Sequence, residues 1–428
     1  MKLKIIIMVC LLIISPVVVL GDIHGLPWSE ITELTPNDNA NDEYPASAVY
    51  NNKLYVVWQS DNNIAMKSFD GVSWSSIVKI SNSASEYINR YPQLAVYDNK
   101  LYIVWETNDV TLSNGTDFDI VIKCYDDGYF SNPVEITDKY DNVDDYNPQI
   151  AVWNNELYVV WQSSNNLVIR NYSINGWGET ENITSSKANN YAAQISVYND
   201  NLCVLWVTED ADISSGSDSD IVMKYKNECI EITPENDNAV DQHPQMAVYN
   251  NNLYIVWQTN NPEITDSEDD DIVIRSYNAS IGLGSILELT SNDVSDFGPE
   301  IIVYDKLYIV WLRDSKELMI KAYNGYIFDN AICVKSMLQG FILITKSCSS
   351  SCIYNNKLYI IWQTRDDSMS DGDDWDIVSV TYDKGKEQGD VLNDKEERKW
   401  FIPGFEMLYV VGGLGIYVIL SKQKRKKM

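Results

Sequence analysis

The chain of 428 residues is short of histidine, of cysteine pairs and of positive charge. It has 2 His, His24 and His243. A hydrolytic zinc site draws on clustered His or Cys, and a Ser-His-Asp triad would need one of these two with no nucleophile elbow beside it. No Cys-x-x-Cys pair is present, which removes the common zinc and redox spacings. Against 62 acidic residues stand 32 basic ones. Seven of those basic residues and one acid, Glu406, lie in residues 1–21 and 402–428, so the body carries 25 against 61, a net charge of −36. Such a field repels phosphate backbones and excludes nucleic acid as a partner. It suits cation binding, salt tolerance or a strongly solvated surface.

What the chain does have at its ends reads as addressing. Lys2 and Lys4 precede an apolar run over residues 5–20, closed by Gly21-Asp22. That is the layout of a secretory signal over residues 1–21, with retention as an amino-terminal anchor as the alternative. Cys10 falls inside the run. At the other end, 15 uncharged residues (407–421) lead to a basic tail at 422–428. This is the stop-transfer, positive-inside pattern, and a helix begun at Pro403 would approach the ~20 residues that span a bilayer. The reading divides the chain into a signal (1–21), an ectodomain (22–383), a charged linker (384–401), a transmembrane or sorting segment (402–421) and a basic cytoplasmic tail (422–428).

Pro403-Gly404-Phe405, the short apolar segment and the basic tail resemble the PGF-CTERM sorting signal of archaeal surface proteins. That resemblance implies processing of the tail by an archaeosortase and its replacement by a lipid. An ordinary single-span anchor is the alternative. Both place the body on the extracellular face of the membrane. Asn114-Gly-Thr, Asn171-Tyr-Ser, Asn182-Ile-Thr and Asn278-Ala-Ser are glycan acceptor patterns suited to that compartment.

The body is a repeat. Trp58, Trp105, Trp161, Trp206, Trp257, Trp311 and Trp362 recur at intervals of 47, 56, 45, 51, 54 and 51 residues, the range of propeller blades. Each tryptophan closes a phrase such as Tyr91-Pro-Gln-Leu-Ala-Val-Tyr-Asp-Asn-Lys-Leu-Tyr-Ile-Val-Trp105. The apolar runs are short, β-branched and aromatic, and turn residues separate them, which describes strands. The Asn-Asn or Asp-Asn pairs suit tight hairpins because Asn tolerates positive φ. Four strands per unit make a propeller blade. The seventh unit lacks a fourth strand, while residues 26–35 form a fourth strand with nothing before it. The expected fold is therefore an all-β, seven-bladed propeller whose amino-terminal strand completes the last blade and removes an open edge.

Ser68-Phe-Asp-Gly-Val-Ser-Trp74 resembles the Asp-box turn of sialidase-type propellers without the spacer between Asp and Gly. Arg90-Tyr-Pro92 is similar to the Arg-x-Pro of sialidases, whose arginines clamp a carboxylate. No set of three arginines with a Tyr/Glu pair can be assigned beside it.

Four links between second and third strands are long and acidic: Asn114-Gly-Thr-Asp-Phe-Asp119, Ser215-Gly-Ser-Asp-Ser-Asp220, Thr265-Asp-Ser-Glu-Asp-Asp-Asp271 and Ser370-Asp-Gly-Asp-Asp-Trp-Asp376. Converging hard oxygens suit Ca²⁺, with Asp117, Asp119, Asp218, Asp220, Asp269, Asp271, Asp373 and Asp376 as the ligands. Solvated acidic turns are the other reading. On the strand expected to line the channel, Gln93, Gln149, Gln194, Gln245 and Glu300 share one repeat position. Amides there fit a saccharide or peptide ligand, or bonds between neighbouring blades. Lys67, Lys123, Arg170, Lys224, Arg275 and Lys321 recur on the third strand, where a structural role is expected, paired with the acid that precedes each strand. Disulfides are allowed outside the cell. The candidates are Cys203 with Cys229 and, at the junction of units six and seven, Cys333, Cys348 and Cys352.

The sequence thus points to a surface-anchored propeller acting as a non-catalytic binding or adhesion module with a glycan or protein ligand. A sialidase-like glycan hydrolase and a purely structural envelope protein are the alternatives, since fold alone does not choose among them.

Overall fold

The computed structural model describes residues 28–384, apart from 37–38, 85, 114–116, 139–141, 215–217, 235–238, 266–268, 337–348, 367–369 and 371–373, together with 405–412 and 415–422. Trp28–Asp383 forms one unit, a seven-bladed β-propeller. Blades I to VI begin with the strands Asp42–Tyr50, Asn89–Tyr97, Asp145–Trp153, Asn190–Tyr198, Asp241–Tyr249 and Asp296–Val303, and blade VII with Ser349–Tyr354. Each first strand touches the first strand of the next blade, and that of blade VII touches that of blade I, so the ring closes.

The closure uses the strand expected from the sequence. Thr32 and Glu33 pair antiparallel with Ser379 and Val378 of blade VII, and Trp28 bridges to Tyr382. Leu34 N donates to Ile377 O at 2.8 Å. The Thr35 hydroxyl donates to Asp376 Oδ1 at 3.0 Å.

Seven hydrophobic clusters fill the seven spaces between neighbouring blades. The phrase tryptophans sit in these interfaces, each at most 2% exposed. Six of them donate Nε1–H to the Asp or Asn that opens the first strand of the same blade: Trp58 to Asp42, Trp105 to Asn89, Trp161 to Asp145, Trp206 to Asn190, Trp257 to Asp241 and Trp311 to Asp296. The indole therefore supplies packing to one blade pair and a hydrogen bond that ties the start of the first strand to the second. The seventh, Trp362, has no acceptor among the described residues.

The Asn-Asn pairs are tight turns with positive φ at both positions, for example 45° and 53° at Asn51 and Asn52 and 49° and 58° at Asn355 and Asn356. Carbonyls of these turns are fastened by the preceding blade. Tyr50, Tyr97, Tyr198 and Tyr304 donate their hydroxyls to Asn99, Asn155, Asn251 and Asn356, and Tyr354 of blade VII reaches Asn52 of blade I at 2.8 Å.

The basic residues of the third strand are structural, but their partner is a carbonyl, which corrects the expected acid. Lys67, Lys123, Arg170, Arg275 and Lys321 donate to the main-chain oxygens of Leu34, Ile80, Ile136, Ile232 and Leu289 at 2.5–2.8 Å. Each acceptor closes the blade before, so every such bond pins two neighbours together. Burial lowers the pKa of Lys67, Lys123 and Lys321.

The Cys203 and Cys229 candidate differs from expectation. Cys203 and Cys229 are free thiols on strands separated by Asp220–Tyr225. Two strands apart is ~10 Å, beyond the reach of a disulfide. Cys333 and Cys352 are also free, and Cys348 lies outside the described residues.

The second unit takes in residues 1–27 and 384–428. Its described part includes an antiparallel ribbon of Phe405–Gly412 with Gly415–Lys422, where a helix was expected. Val410-Val411 and Ile416-Tyr-Val-Ile419 are β-branched and aromatic, which favours strands. No helix among the described residues is long and apolar enough to cross a membrane. The signal, residues 385–401 of the linker and the 423–428 tail lie outside the described residues.

Candidate functional site

The meander places three features at one end of the ring: the starts of the first strands, the links between second and third strands, and the ends of the outer strands. Hydrogen bonds confirm the gathering. Asp42, Asp145, Asp241 and Asp296 donate their N–H to Trp375, Phe118, Ser219 and Asp270 on the link of the preceding blade, at 2.7–3.0 Å. The Gln positions and the acidic links therefore share a face.

On that face each first strand carries a bulge that sequence reasoning missed. Tyr44, Tyr91, Asn147, Ala192, His243 and Gly298 have φ between 53° and 55°. The register slips by one residue across each of these sites. Proline follows in five of the six. A left-handed Tyr or His is uncommon and is held here by its surroundings. Gly298 was the available signal, since it occupies the repeat position that requires positive φ.

Just past the bulges, Gln149, Gln194 and Gln245 line one small, partly open cavity with Asn147, Ala192 and His243. Among the described residues no hydrogen bond holds these three amides, nor that of Gln93 at the same position of blade II. Bonding between blades, the alternative use for them, is absent there. Glu300 is engaged: it accepts from the Ser351 hydroxyl at 2.6 Å.

An aromatic edge runs across blades I to III on the same face. The rings of Tyr44 and Tyr91 meet edge-on at 4.5 Å, and Phe118 lies 5.7 Å from Tyr146. The Arg90 guanidinium sits 4.3 Å from the Phe118 centroid and 5.2 Å from that of Tyr91. Its Nε pairs at 2.5 Å with Glu106, a carboxylate with no exposed side-chain surface. Glu106 Oε2 also accepts from Asn147 N at 2.6 Å. Arg90 is thus neutralised inside the protein, and the sialidase-like clamp suggested by Arg90-Tyr-Pro92 is not free to take a ligand carboxylate.

The acidic links divide into two kinds of aspartate. Asp119, Asp220, Asp271 and Asp376 are buried and accept from Thr137, Thr233, Thr290 and Thr35, which fastens the third strand to the outer strand of the same blade. In the short-link blades I and III, Asn63 and Asn166 accept from Ser81 and Thr184 in the same place. Burial pushes Asp119 and Asp220 up to about 6. The other kind precedes each of these by two residues. Asp117 Oδ1, Asp218 Oδ2 and Asp269 Oδ2 are buried with no hydrogen-bond partner among the described residues. A further element was not foreseen. Three of the four long links open with a capped turn, on Asp109, Asp210 or Asn261, whose side chain accepts from the N–H two residues on at 2.8–3.0 Å. No group of three His, Cys, Asp or Glu among the described residues is placed to hold a metal ion. Asp373 and residues 114–116, 215–217 and 266–268 lie outside them.

On the opposite face the turn resembling an Asp-box is well formed. Asp70 Oδ1 accepts from Val72 N and Ser73 N at 2.8 Å each, and these bonds hold its carboxyl below the usual range. Gly71 has φ +97°, and a Cβ there would meet Asn355 Nδ2 at 2.8 Å. Of the glycan acceptors, Asn182 is exposed, whereas the Asn171 and Asn278 amides donate to Glu156 and Asn252, and Asn114 lies outside the described residues.

Comparison with known protein families finds no match, and no curated protein matches the chain. Solved structures do match. The polysaccharide lyase Uly1 aligns with a TM-score of 0.52 at 10% identity, over 82% of this chain and 92% of its own. The endosialidase of phage phi92 aligns at 0.50 and 13%, over 93% of this chain and 76% of its own. The α-L-arabinanase of Penicillium chrysogenum aligns at 0.48 and 11%, over 82% and 98%. Their likeness to this chain is one of fold. By their names the lyase, the endosialidase and the arabinanase act on saccharides.

Proposed function

We propose that the propeller is a non-catalytic glycan-binding module whose ligand enters at the face that carries the bulges. The observation that carries this reading is the set of amides on Gln149, Gln194 and Gln245, which line one cavity with no hydrogen-bond partner among the described residues. An amide presents a donor and an acceptor together, which matches the hydroxyls of a sugar. The ring edges of Tyr44, Tyr91 and Tyr146 add the apolar surface that a pyranose face covers. Neutralisation of Arg90 by Glu106 favours uncharged sugars over sialic acids.

The module is displayed on the outer face of the cell membrane by its carboxyl-terminal segment, after removal of the signal at 1–21. Ca²⁺ stabilises the long links. This part rests on the buried oxygens of Asp117, Asp218 and Asp269, which have no hydrogen-bond partner among the described residues, three times at one repeat position. Screening the full chain against a panel of neutral glycans, with and without Ca²⁺, tests the reading. Binding without turnover of labelled glycosides is expected. Turnover of any of them would replace the binding role with hydrolysis.

A further inference from the structure

The third and fourth strands of a blade meet in turns at the end of the ring opposite the bulges. Gly71, Gly128, Gly176, Gly282 and Gly325 give five of these turns a φ of 96–102°. Within two residues of each glycine stands a large apolar side chain: Val72 in blade I, Tyr129 in blade II, Ile174 in blade III, Ile281 in blade V, and Tyr326 with Ile327 in blade VI. These six are 64–98% exposed, and no other large apolar side chain among the described residues is more than 48% exposed. Apolar residues scattered singly over a surface are ordinary. Here every strongly exposed one sits at the same turn of its blade. Blade IV puts Lys226-Asn227-Glu228 there instead. The packing of these turns is done by other residues, such as Phe69 with Trp74, Tyr125 with Phe130, Tyr172 with Trp177 and Tyr323 with Phe328. The tips are left over.

The chain path leads to the same face. A Cβ on Gly71 would meet Asn355 Nδ2, and one on Gly325 would meet Asn250 Nδ2, each at 2.8 Å. Both asparagines belong to turns between the first and second strands of the preceding blade, so the two kinds of turn share one end of the ring. Tyr382 pairs with Leu358 there, and Asp383 bonds to Lys357 Nζ at 2.9 Å. Trp28 bridges to Tyr382. Both ends of the propeller therefore leave from the face that carries the tips, and residues 384–428, with the uncharged run 407–421, follow from it.

Charge gives this face little pull. Lys100, Lys306 and Lys357 are each paired with an aspartate, Asp126, Asp329 and Asp383. Separate apolar tips on polar turns suit a soft medium that closes round each of them, whereas a second copy would need a continuous complementary surface. Tyr129 and Tyr326 have the amphipathic ring favoured at bilayer interfaces.

We propose that this face rests on a phospholipid bilayer, with the six tip side chains set into its interfacial layer. The inference rests on the reading that the chain is displayed at a membrane, and it adds how the propeller stands there. The turn face meets the lipid, and the bulge face with its amides is turned to the medium.

A nitroxide attached at Ile174→Cys tests it, in the full chain with Cys229→Ser and Cys333→Ser removing the exposed thiols, on phosphatidylcholine vesicles. The control is a nitroxide at Ala211→Cys, an exposed position on a link of the opposite face. Electron paramagnetic resonance reads the collisions of each label with a water-soluble relaxant and with oxygen. On vesicles the label at position 174 should lose roughly threefold or more of its collisions with the aqueous relaxant and gain collisions with oxygen. The label at position 211 should change in neither. The effect should persist at about 1 M salt, where charges are screened beyond ~3 Å. If the chain floats with the vesicles while the label at 174 stays as wet as the control, the inference fails and the anchor reading stands. If the chain does not float, both fall. Shielding at 174 that salt abolishes, or that appears without vesicles and grows with protein concentration, also overturns the inference; the second result would put another copy on this face.

Discussion

Trp257 and Trp362 occupy the same place in blades V and VII, both at most 1% exposed, and differ in one respect. Trp257 Nε1 donates to Asp241 Oδ1 at 2.7 Å, whereas Trp362 Nε1 is buried without an acceptor among the described residues. Replacing either by Phe removes the same atoms from an equivalent interface, so the packing loss, a few kcal/mol, is common to both. The polar contributions differ. Trp257→Phe takes a donor from a buried carboxylate, which costs about 1.5–3 kcal/mol for a bond to a charged group. Trp362→Phe removes an N–H that meets no acceptor among the described residues, so it forfeits no bond seen there. Trp257→Phe should therefore be the more damaging by about 1.5–3 kcal/mol. Urea unfolding of both variants, followed by circular dichroism, measures the difference. A gap under about 1 kcal/mol would show that the indole bond is not what ties the strands, and the reasoning would fail.

Three further outcomes are expected. Asp119 and Asp220 have pKa values raised to about 6 in the fold, so the stability they allow is full below the ordinary carboxylate range and is lost as pH rises through about 6. The melting temperature should accordingly rise as pH falls from about 7 to about 5, by less in an Asp119→Asn/Asp220→Asn variant; an equal rise in both proteins would contradict the assignment. Thr35→Val deletes the hydroxyl that donates to buried Asp376 and accepts from Ile377 N. It should cost about 2–4 kcal/mol and speed hydrogen exchange in Asp376–Tyr382 more than in the first strand of blade IV, and uniform exchange would contradict closure at that seam. In the native protein Cys229, which is exposed, should react with a thiol reagent, while Cys203, buried and pushed up to about 12, should react after unfolding. Protection of Cys229 would point to a bridge that the strand spacing forbids.

Much of the architecture was legible because the repeat wrote it several times. The Trp phrase gave the blade, the Asn-Asn pairs gave turns that need two positive φ values, and the orphan strand at residues 26–35 announced the closure. The bulges were hidden because Tyr44, Tyr91 and His243 are residues that seldom take positive φ, and only Gly298 marked the position. The partners of Lys67 and its counterparts were hidden for another reason: they are main-chain carbonyls of the preceding blade, which have no signature in sequence. The acidic links looked uniform, yet burial separates aspartates that hold the sheet, such as Asp220, from those with open oxygens, such as Asp218.

The central claim is that the channel amides receive a glycan. Its most direct measurement is the affinity of the full chain for the best ligand from a neutral-glycan panel, compared with that of a Gln149→Leu/Gln194→Leu variant. A loss of tenfold or more, with an unchanged melting temperature, is the predicted result. Undiminished binding by the variant, or no binding by the unaltered chain to any glycan of the panel, would contradict it.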